Sequence, residues 1–280
     1  VAISASDVKA LREKTGAGMM ECKKALTEAG GDVRKAEKIL KELGLAAAAK
    51  RSGRATNEGR IFAKTTGTAA GILELSCETD FVARNEEFVE FGENLLRGII
   101  DNNVQAVNDE LLGEVTAMVS KLKENITLRR FLSTTLEPNQ RAVDYIHGEG
   151  RIGVLVVFSA DTAELYDKEE VKNFMFDTAL HVAAFNPKYL SPDTVEESYL
   201  KEQQEIFLAQ AKNLGKPEKV IEGIVKGKLN KHLSEICLLN QGFVKDDKQS
   251  VAKVMQQVGK DAGGKLDIVD FTYYAVGEEL

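Results

Sequence analysis

Residues 59–75, Gly59-Arg-Ile-Phe-Ala-Lys-Thr-Thr-Gly-Thr-Ala-Ala-Gly-Ile-Leu-Glu-Leu75, decide how this chain is organised. Two apolar runs, Ile61 to Lys64 and Gly71 to Leu75, flank Thr66-Gly67-Thr68. Such runs, broken by a short glycine-containing turn, predict a β-hairpin. Downstream the period changes. Phe88, Phe91, Leu95 and Ile99 fall on one helical stripe, and Val115, Met118, Val119 and Leu122 on a second. Arg130 to Leu136 then reads as a strand. Residues 56–140 are thus expected to form one α+β unit of strands backed by helices.

The next stretch begins in a similar way. Gly150-Arg151-Ile152 matches Gly59-Arg60-Ile61, and Ile152 to Val157 reads as a strand like that at 71–75. A helix from about Lys168 to Ala184 follows. The tail carries a helix bearing Val251, Val254, Met255 and Val258. It closes on a strand with Val269, Phe271, Tyr273 and Ala275 on one face. This weak internal repeat predicts a duplicated α+β core whose second half spans 141–280.

Two further pieces flank or interrupt that core. Residues 1–55 read as three short helices. Ser6 or Asp7 is the expected cap of the first, with Gly16 as its stop. The second runs from Met19 to Glu28. Asp32 caps the third, which Gly44 is expected to end. Residues 46–60 lose the apolar pattern and read as a solvated linker carrying Lys50, Arg51, Arg54 and Arg60. Within the second core half, Leu200, Phe207, Ala211 and Leu214 are followed by Gly215 and Pro217. Ile221, Val225, Leu229 and Leu233 come next, so 195–235 reads as an antiparallel helix hairpin. Spacing alone allows either a projecting coiled-coil arm or a pair lying on the body.

Composition narrows the function. The 280-residue chain is 43% apolar, lacks Trp and has a net charge of −7, so no overall basic surplus favours a phosphate-gripping groove. Cys22, Cys77 and Cys237 are far apart and read as reduced, mostly buried thiols of a cytoplasmic protein. With His147, His181 and His232 they offer no metal spacing, and no cofactor is expected. Val1-Ala-Ile-Ser has no signal-peptide pattern, and no run approaches membrane-span length. Phosphate-loop, dinucleotide, nucleophile-elbow and zinc-protease motifs are absent from the sequence. His181 reads as a satisfied core or interface residue. His147 reads as a loop residue ahead of a strand, free to touch a partner but no catalytic site by itself.

Two local features carry the remaining signal. Thr15-Gly-Ala-Gly-Met-Met20 places two methionines at a glycine-flexible helix start. They can fill a small core or form an adaptable contact surface. In Cys77-Glu-Thr-Asp-Phe-Val-Ala-Arg-Asn85, Thr79 or Asp80 can cap a helix. Phe81 is then either a staple for that helix end or an outward anchor.

Over essentially its whole length the chain resembles the bacterial elongation factor Ts family. The resemblance rests on Leu11-Arg-Glu-Lys-Thr-Gly-Ala-Gly-Met-Met-Glu-Cys-Lys-Lys-Ala-Leu26 and Thr79-Asp-Phe-Val-Ala83. Glu124-Asn-Ile126 with Arg129-Arg130, His147-Gly148 with Arg151-Ile-Gly-Val154, and His181-Val-Ala-Ala184 also fit. It implies an N-terminal module like a ubiquitin-associated domain, a two-part core with an inserted coiled-coil hairpin, and elongation factor Tu as partner. It implies nucleotide exchange rather than enzymatic catalysis; from the charge and the lack of a long apolar run, no direct nucleic-acid or membrane contact is expected. Arg12, Met19, Met20, Thr79, Asp80, Phe81, Val82 and His147 become partner-binding candidates, with Asp80 and Phe81 entering the GTPase near its nucleotide and magnesium. Both local features are then read as contact surface rather than core. Three departures stand out. Gly242 replaces an expected proline, which would loosen that turn. Lys123 replaces a glycine usual before Glu124-Asn125. The sequence given runs to Glu279-Leu280, where many relatives carry a further helix.

Overall fold

The computed structural model describes residues 3–279. Three helices open it: α1 (Ala5–Thr15), α2 (Met19–Glu28) and α3 (Val33–Arg51). Ser4, rather than Ser6 or Asp7, caps α1. Its hydroxyl accepts the Asp7 N–H at 3.1 Å, and the Asp7 carboxylate accepts the Ser4 N–H at 3.1 Å. Only Ser4 has an acid three residues on, so only it completes a reciprocal capping box. Gly16, at φ 68°, ends the helix. Val8, Leu11, Cys22, Ala25, Leu26, Ala36 and Leu40 form the small core of the three helices.

The third helix does not stop at Gly44. It continues through the strongly helix-forming Ala46 to Ala49 and ends at Arg51. A side chain on Gly44 would place its first carbon 2.6 Å from the Ser120 hydroxyl, so this glycine marks close helix packing rather than a terminus. The first part of the expected 46–60 linker, through Arg51, is therefore helix, its last residues open β-structure from Glu58, and Ala48 packs on the neighbouring core. Arg54 pairs with Glu78 at 3.2 Å.

Next come β1 (Glu58–Thr65), β2 (Ala69–Cys77), α4 (Asp80–Ala83), α5 (Glu86–Asp101), α6 (Asp109–Leu122) and β3 (Thr127–Thr135). The strands form an antiparallel sheet in the order β1-β2-β3. The second half contributes β4 (Gln140–His147), β5 (Ile152–Ala160), α7 (Glu169–Phe185), α8 (Glu197–Lys212) and α9 (Glu218–Ile236). It continues with β6 (Gly242–Phe243), β7 (Asp246–Ser250), α10 (Val251–Ala262) and β8 (Leu266–Ala275). Its main sheet is also antiparallel, in the order β4-β5-β8.

Strand periodicity builds the layers. Phe62, Leu73 and Leu75 face α5 and α6. Their neighbours Ile61, Ala70 and Ile72 face the other way, onto Leu155 of the second sheet. Val154, Val156 and Phe158 in turn face α7 and α10. The result is helix-rich α+β, with two sheets back to back and helices outside. A fully buried carboxylate sits between the sheets. Glu74 is met by Arg129 at 3.1 Å, Arg130 at 2.8 Å and the Gly277 N–H at 3.1 Å.

Several sequence expectations are corrected here. The tripeptides at 59–61 and 150–152 are not topological equivalents, because one lies in the outer strand β1 and the other leads into the middle strand β5. His147 is the last residue of β4 rather than part of a loop. Arg141 and Asp144 break the apolar alternation of that half-buried strand and hide it. Val269 leaves the face shared by Phe271 and Tyr273. Phe158 pairs with Ile268 but Val157 with Asp270, so Val269 is the extra residue of a β-bulge and is exposed. Pro217 occupies the N-cap of α9 rather than its first turn. Gly242 does not loosen a turn: it pairs with Ser250, and any side chain there would meet the Asp247 carbonyl at 2.7 Å. His181 is buried as expected but only half satisfied. Its Nε2 lies 2.9 Å from Gln241 Oε1, while Nδ1 has no partner.

Helices α8 and α9 run antiparallel around Ala211, Ile221 and Val225, with Phe207, Leu208 and Ile224 against them. This small seam is separate from the α7–α10 core. All three cysteines are buried free thiols. Among the described residues, no helix is long and apolar enough to cross a membrane.

Candidate functional site

The residues singled out between Thr79 and Val82 lie where β2 gives way to α4. Thr79 has extended backbone and its hydroxyl accepts the Val82 N–H at 3.3 Å, so Thr79 rather than Asp80 is the cap. The helix it starts is a single turn. Ala83 is buried and Val82 leans onto the core beneath. Phe81 points away from all of it and is 83% exposed. It belongs to no apolar cluster, so the ring is not a staple. Asp80 is half exposed and lies 3.8 Å from Arg84. Of the four residues, two shape the turn and two are presented by it.

The turn is held from behind by the segment after α6. Glu124 Oε2 accepts the N–H groups of Glu78 and Thr79, both at 3.0 Å, and Oε1 accepts the Thr79 hydroxyl at 2.6 Å. Asn125 donates its N–H to Glu78 Oε1 at 2.7 Å and its side-chain amide to the Arg54 carbonyl at 2.8 Å. That backbone hydrogen bond, more than the nearby Arg54, holds the Glu78 carboxyl below its usual range. Cys77 lies beneath the turn. Burial pushes its thiol up to about 12, so it stays protonated and donates to the Thr79 carbonyl at 3.2 Å.

Of the other candidates, ion pairs tie the turn after His147 and the start of α2 to the segments around this turn. His147 is exposed, with Nδ1 3.1 Å from the Tyr145 hydroxyl. The turn that follows it carries Glu149, 3.7 Å from Arg84 at the end of α4. Met19 and Met20 open α2 and are 51% and 74% exposed, so neither fills the three-helix core. Arg12 is exposed on α1. The carboxylate of Glu21 accepts the Gly18 N–H at 2.9 Å, and that bond chiefly holds its pKa below the ordinary value. The same carboxylate pairs with Lys123 at 3.1 Å.

Reading along the chain missed Glu124, Lys123 and Arg84 as parts of this site. Glu124 stands 45 residues from Thr79, beyond the reach of any spacing rule. Its only signal was membership of the Glu124-Asn-Ile126 motif.

Fold and site together define a helix-rich α+β protein that presents apolar side chains on two braced helix starts, at Met19-Met20 and at Phe81. Known proteins share the sequence that builds it. The sequence profile described as Elongation factor TS matches residues 78–278. An elongation factor Ts of Treponema denticola is 47% identical over 275 residues, covering 98% of this chain and 98% of that protein. One of Borrelia recurrentis is 44% identical over 278 residues, covering 99% and 100%. One of Treponema pallidum is 44% identical over 286 residues, covering 98% and 99%. The chain belongs to the elongation factor Ts family.

Proposed function

We propose that this chain is a cytoplasmic, non-catalytic guanine-nucleotide exchange factor that binds elongation factor Tu and promotes GDP release during translation elongation. The observation that carries the reading is Phe81, a fully presented ring on a capped and braced turn. Ring anchors of this kind are typical interface hot spots. In this reading Phe81 and Asp80 enter the partner beside its nucleotide and magnesium. Met19, Met20 and Arg12 form a second contact on a ubiquitin-associated-like module of residues 1–55. His147 adds a contact from the second core half. Thr79 and Val82 shape the turn. The 195–235 hairpin is a coiled-coil arm inserted in the 141–280 half, and 56–140 is the first half.

No acid–base chemistry is required. A factor that binds the distorted, empty nucleotide site better than the filled one weakens GDP binding, and GDP must weaken the factor by the same ratio. A shift on the order of 10⁴ needs about 5.5 kcal/mol of differential affinity. A few buried anchors can supply that.

The test mixes this chain with elongation factor Tu carrying fluorescent GDP. Catalytic amounts should speed release, and excess GDP should dissolve the complex. Unchanged release at saturating factor overturns the reading. Asp80→Asn separates charge from shape at the site. It should cut exchange while leaving stability unchanged, because Thr79 is the cap.

A further inference from the structure

The two exposed turns lie on different parts of the chain, one opening α2 and the other opening α4, yet one tripeptide touches both. Lys123 ends α6 in the left-handed conformation, with φ 65° and ψ 16°. A non-glycine residue there is strained. The strained backbone sends the Lys123 side chain to Glu21, with Nζ 3.1 Å from both carboxylate oxygens. Glu21 in turn accepts the Gly18 N–H directly ahead of Met19. The next residue, Glu124, takes two backbone N–H groups and the hydroxyl of the Phe81 turn. Asn125 completes the hold through Glu78 and the Arg54 carbonyl.

We propose that Lys123-Glu124-Asn125 is a positioning element that keeps the Met19-Met20 turn and the Asp80-Phe81 turn in mutual register, so that one partner meets both at once. This rests on the exchange reading above. None of the three residues needs to touch the partner. Glu124 acts through Phe81. Its carboxylate replaces water around the Glu78 and Thr79 amides, and charge-assisted bonds of this kind are about twice as strong as neutral ones. Lys123 acts through Glu21 and Met19. The side chains of that pair are 48% and 49% exposed, so its share is small and salt-sensitive.

Amide hydrogen exchange of the full chain tests the hold directly, and GDP release from elongation factor Tu tests its consequence. Glu124→Ala should remove protection at the Glu78 and Thr79 amides. It should also lower the maximal release rate at saturating factor by about tenfold, the scale of losing a charged hydrogen-bond partner. Glu124→Gln, which keeps an acceptor for the two amides, should recover most of both. The same alanine change made on top of Phe81→Ala should add much less than it costs alone, because its effect runs mainly through the ring and only the Asp80 contact remains to be displaced. Lys123→Gly relieves the strained backbone, so melting temperature should hold or rise. Half-saturation should nevertheless need roughly two- to five-fold more factor, the range of an exposed ion pair. A more stable protein that binds less well cannot be a misfolding artefact.

Unaltered amide protection in Glu124→Ala overturns the proposal. So does additivity with Phe81→Ala, or undiminished affinity in Lys123→Gly. A wild-type chain that leaves GDP release unchanged overturns the exchange reading instead. Amide protection then still decides whether the tripeptide holds the turn.

Discussion

The two core halves share a plan and differ at one corner. In each, a strand hairpin leads into helices, and a last strand returns to pair with the middle one. In the first half, β2 leaves the sheet through a capped turn and throws Phe81 into solvent. In the second half, β5 leaves through a short 3-10 turn, Ala163–Asp167, that tucks Leu165 and Tyr166 into the core. The Tyr166 hydroxyl lies 2.8 Å from the Asn139 carbonyl and 3.2 Å from that of Phe158. Burial pushes it up to about 12. Both corners place an aromatic residue after the middle strand. One ring is packed and hydrogen-bonded, the other is free on a rigid base. A free ring held at the cost of a three-bond brace points to contact with something outside the molecule.

The halves also differ in the link between their helices. Residues 102–108 join α5 to α6, whereas 186–250 join α7 to α10 and carry the α8–α9 pair. The pair has its own apolar seam, apart from the cluster that packs α7 and α10.

Substituting both rings tests the contrast most severely. Tyr166→Ala should cost about 3–5 kcal/mol of stability, the range for losing a buried aromatic side chain, as read by urea unfolding. Exchange measured on the folded fraction should be unaffected. Phe81→Ala should do the reverse, lowering exchange by the equivalent of at least about 2 kcal/mol while melting temperature barely moves. Equal stability losses in the two variants would erase the distinction between the corners.

A smaller effect should separate the halves by pH. His181 of α7 is buried, and burial, opposed by its bond to Gln241, lowers its affinity for protons below the ordinary value near 6.5. The unfolded chain therefore binds more protons in the window just below that value. Stability should be fully present above it and be lost as pH falls toward the lowered folded value. Urea midpoints at successive pH values should drop in the wild type and flatten in His181→Leu. An unchanged slope would place the pH dependence elsewhere.

The smallest effect is expected from the α8–α9 pair. Replacing residues 198–235 by a short Gly-Ser loop should leave the melting temperature nearly unchanged, because the seam at Ala211, Ile221 and Val225 lies apart from the main core. Loss of cooperative unfolding would make the pair part of that core.

Local chemistry was legible along the chain. Helical stripes, the Gly16 stop, the Asp32 cap, the 66–68 turn and the Gly215 break each depend on residues within one or two turns of one another. The failures share a cause. Gly44 looked like a stop because its reason, Ser120, is distant in sequence. Strand β4 was hidden by its charges, and Val269 was misplaced by a bulge that only pairing with β5 creates. Thr79 and Asp80 were interchangeable as caps until backbone geometry chose Thr79.

By itself, then, the sequence determined most of the helices and several of the strands, a helix-rich α+β class, and which residue types stand at the two turns. Tertiary structure alone decided that Met19, Met20 and Phe81 face solvent, that Glu124 grips Thr79, and that Lys123 reaches Glu21. Secondary structure follows from neighbours a few residues apart. Exposure and bracing depend on what the folded chain brings alongside, here across 45 and 102 residues, and no local pattern encodes that encounter.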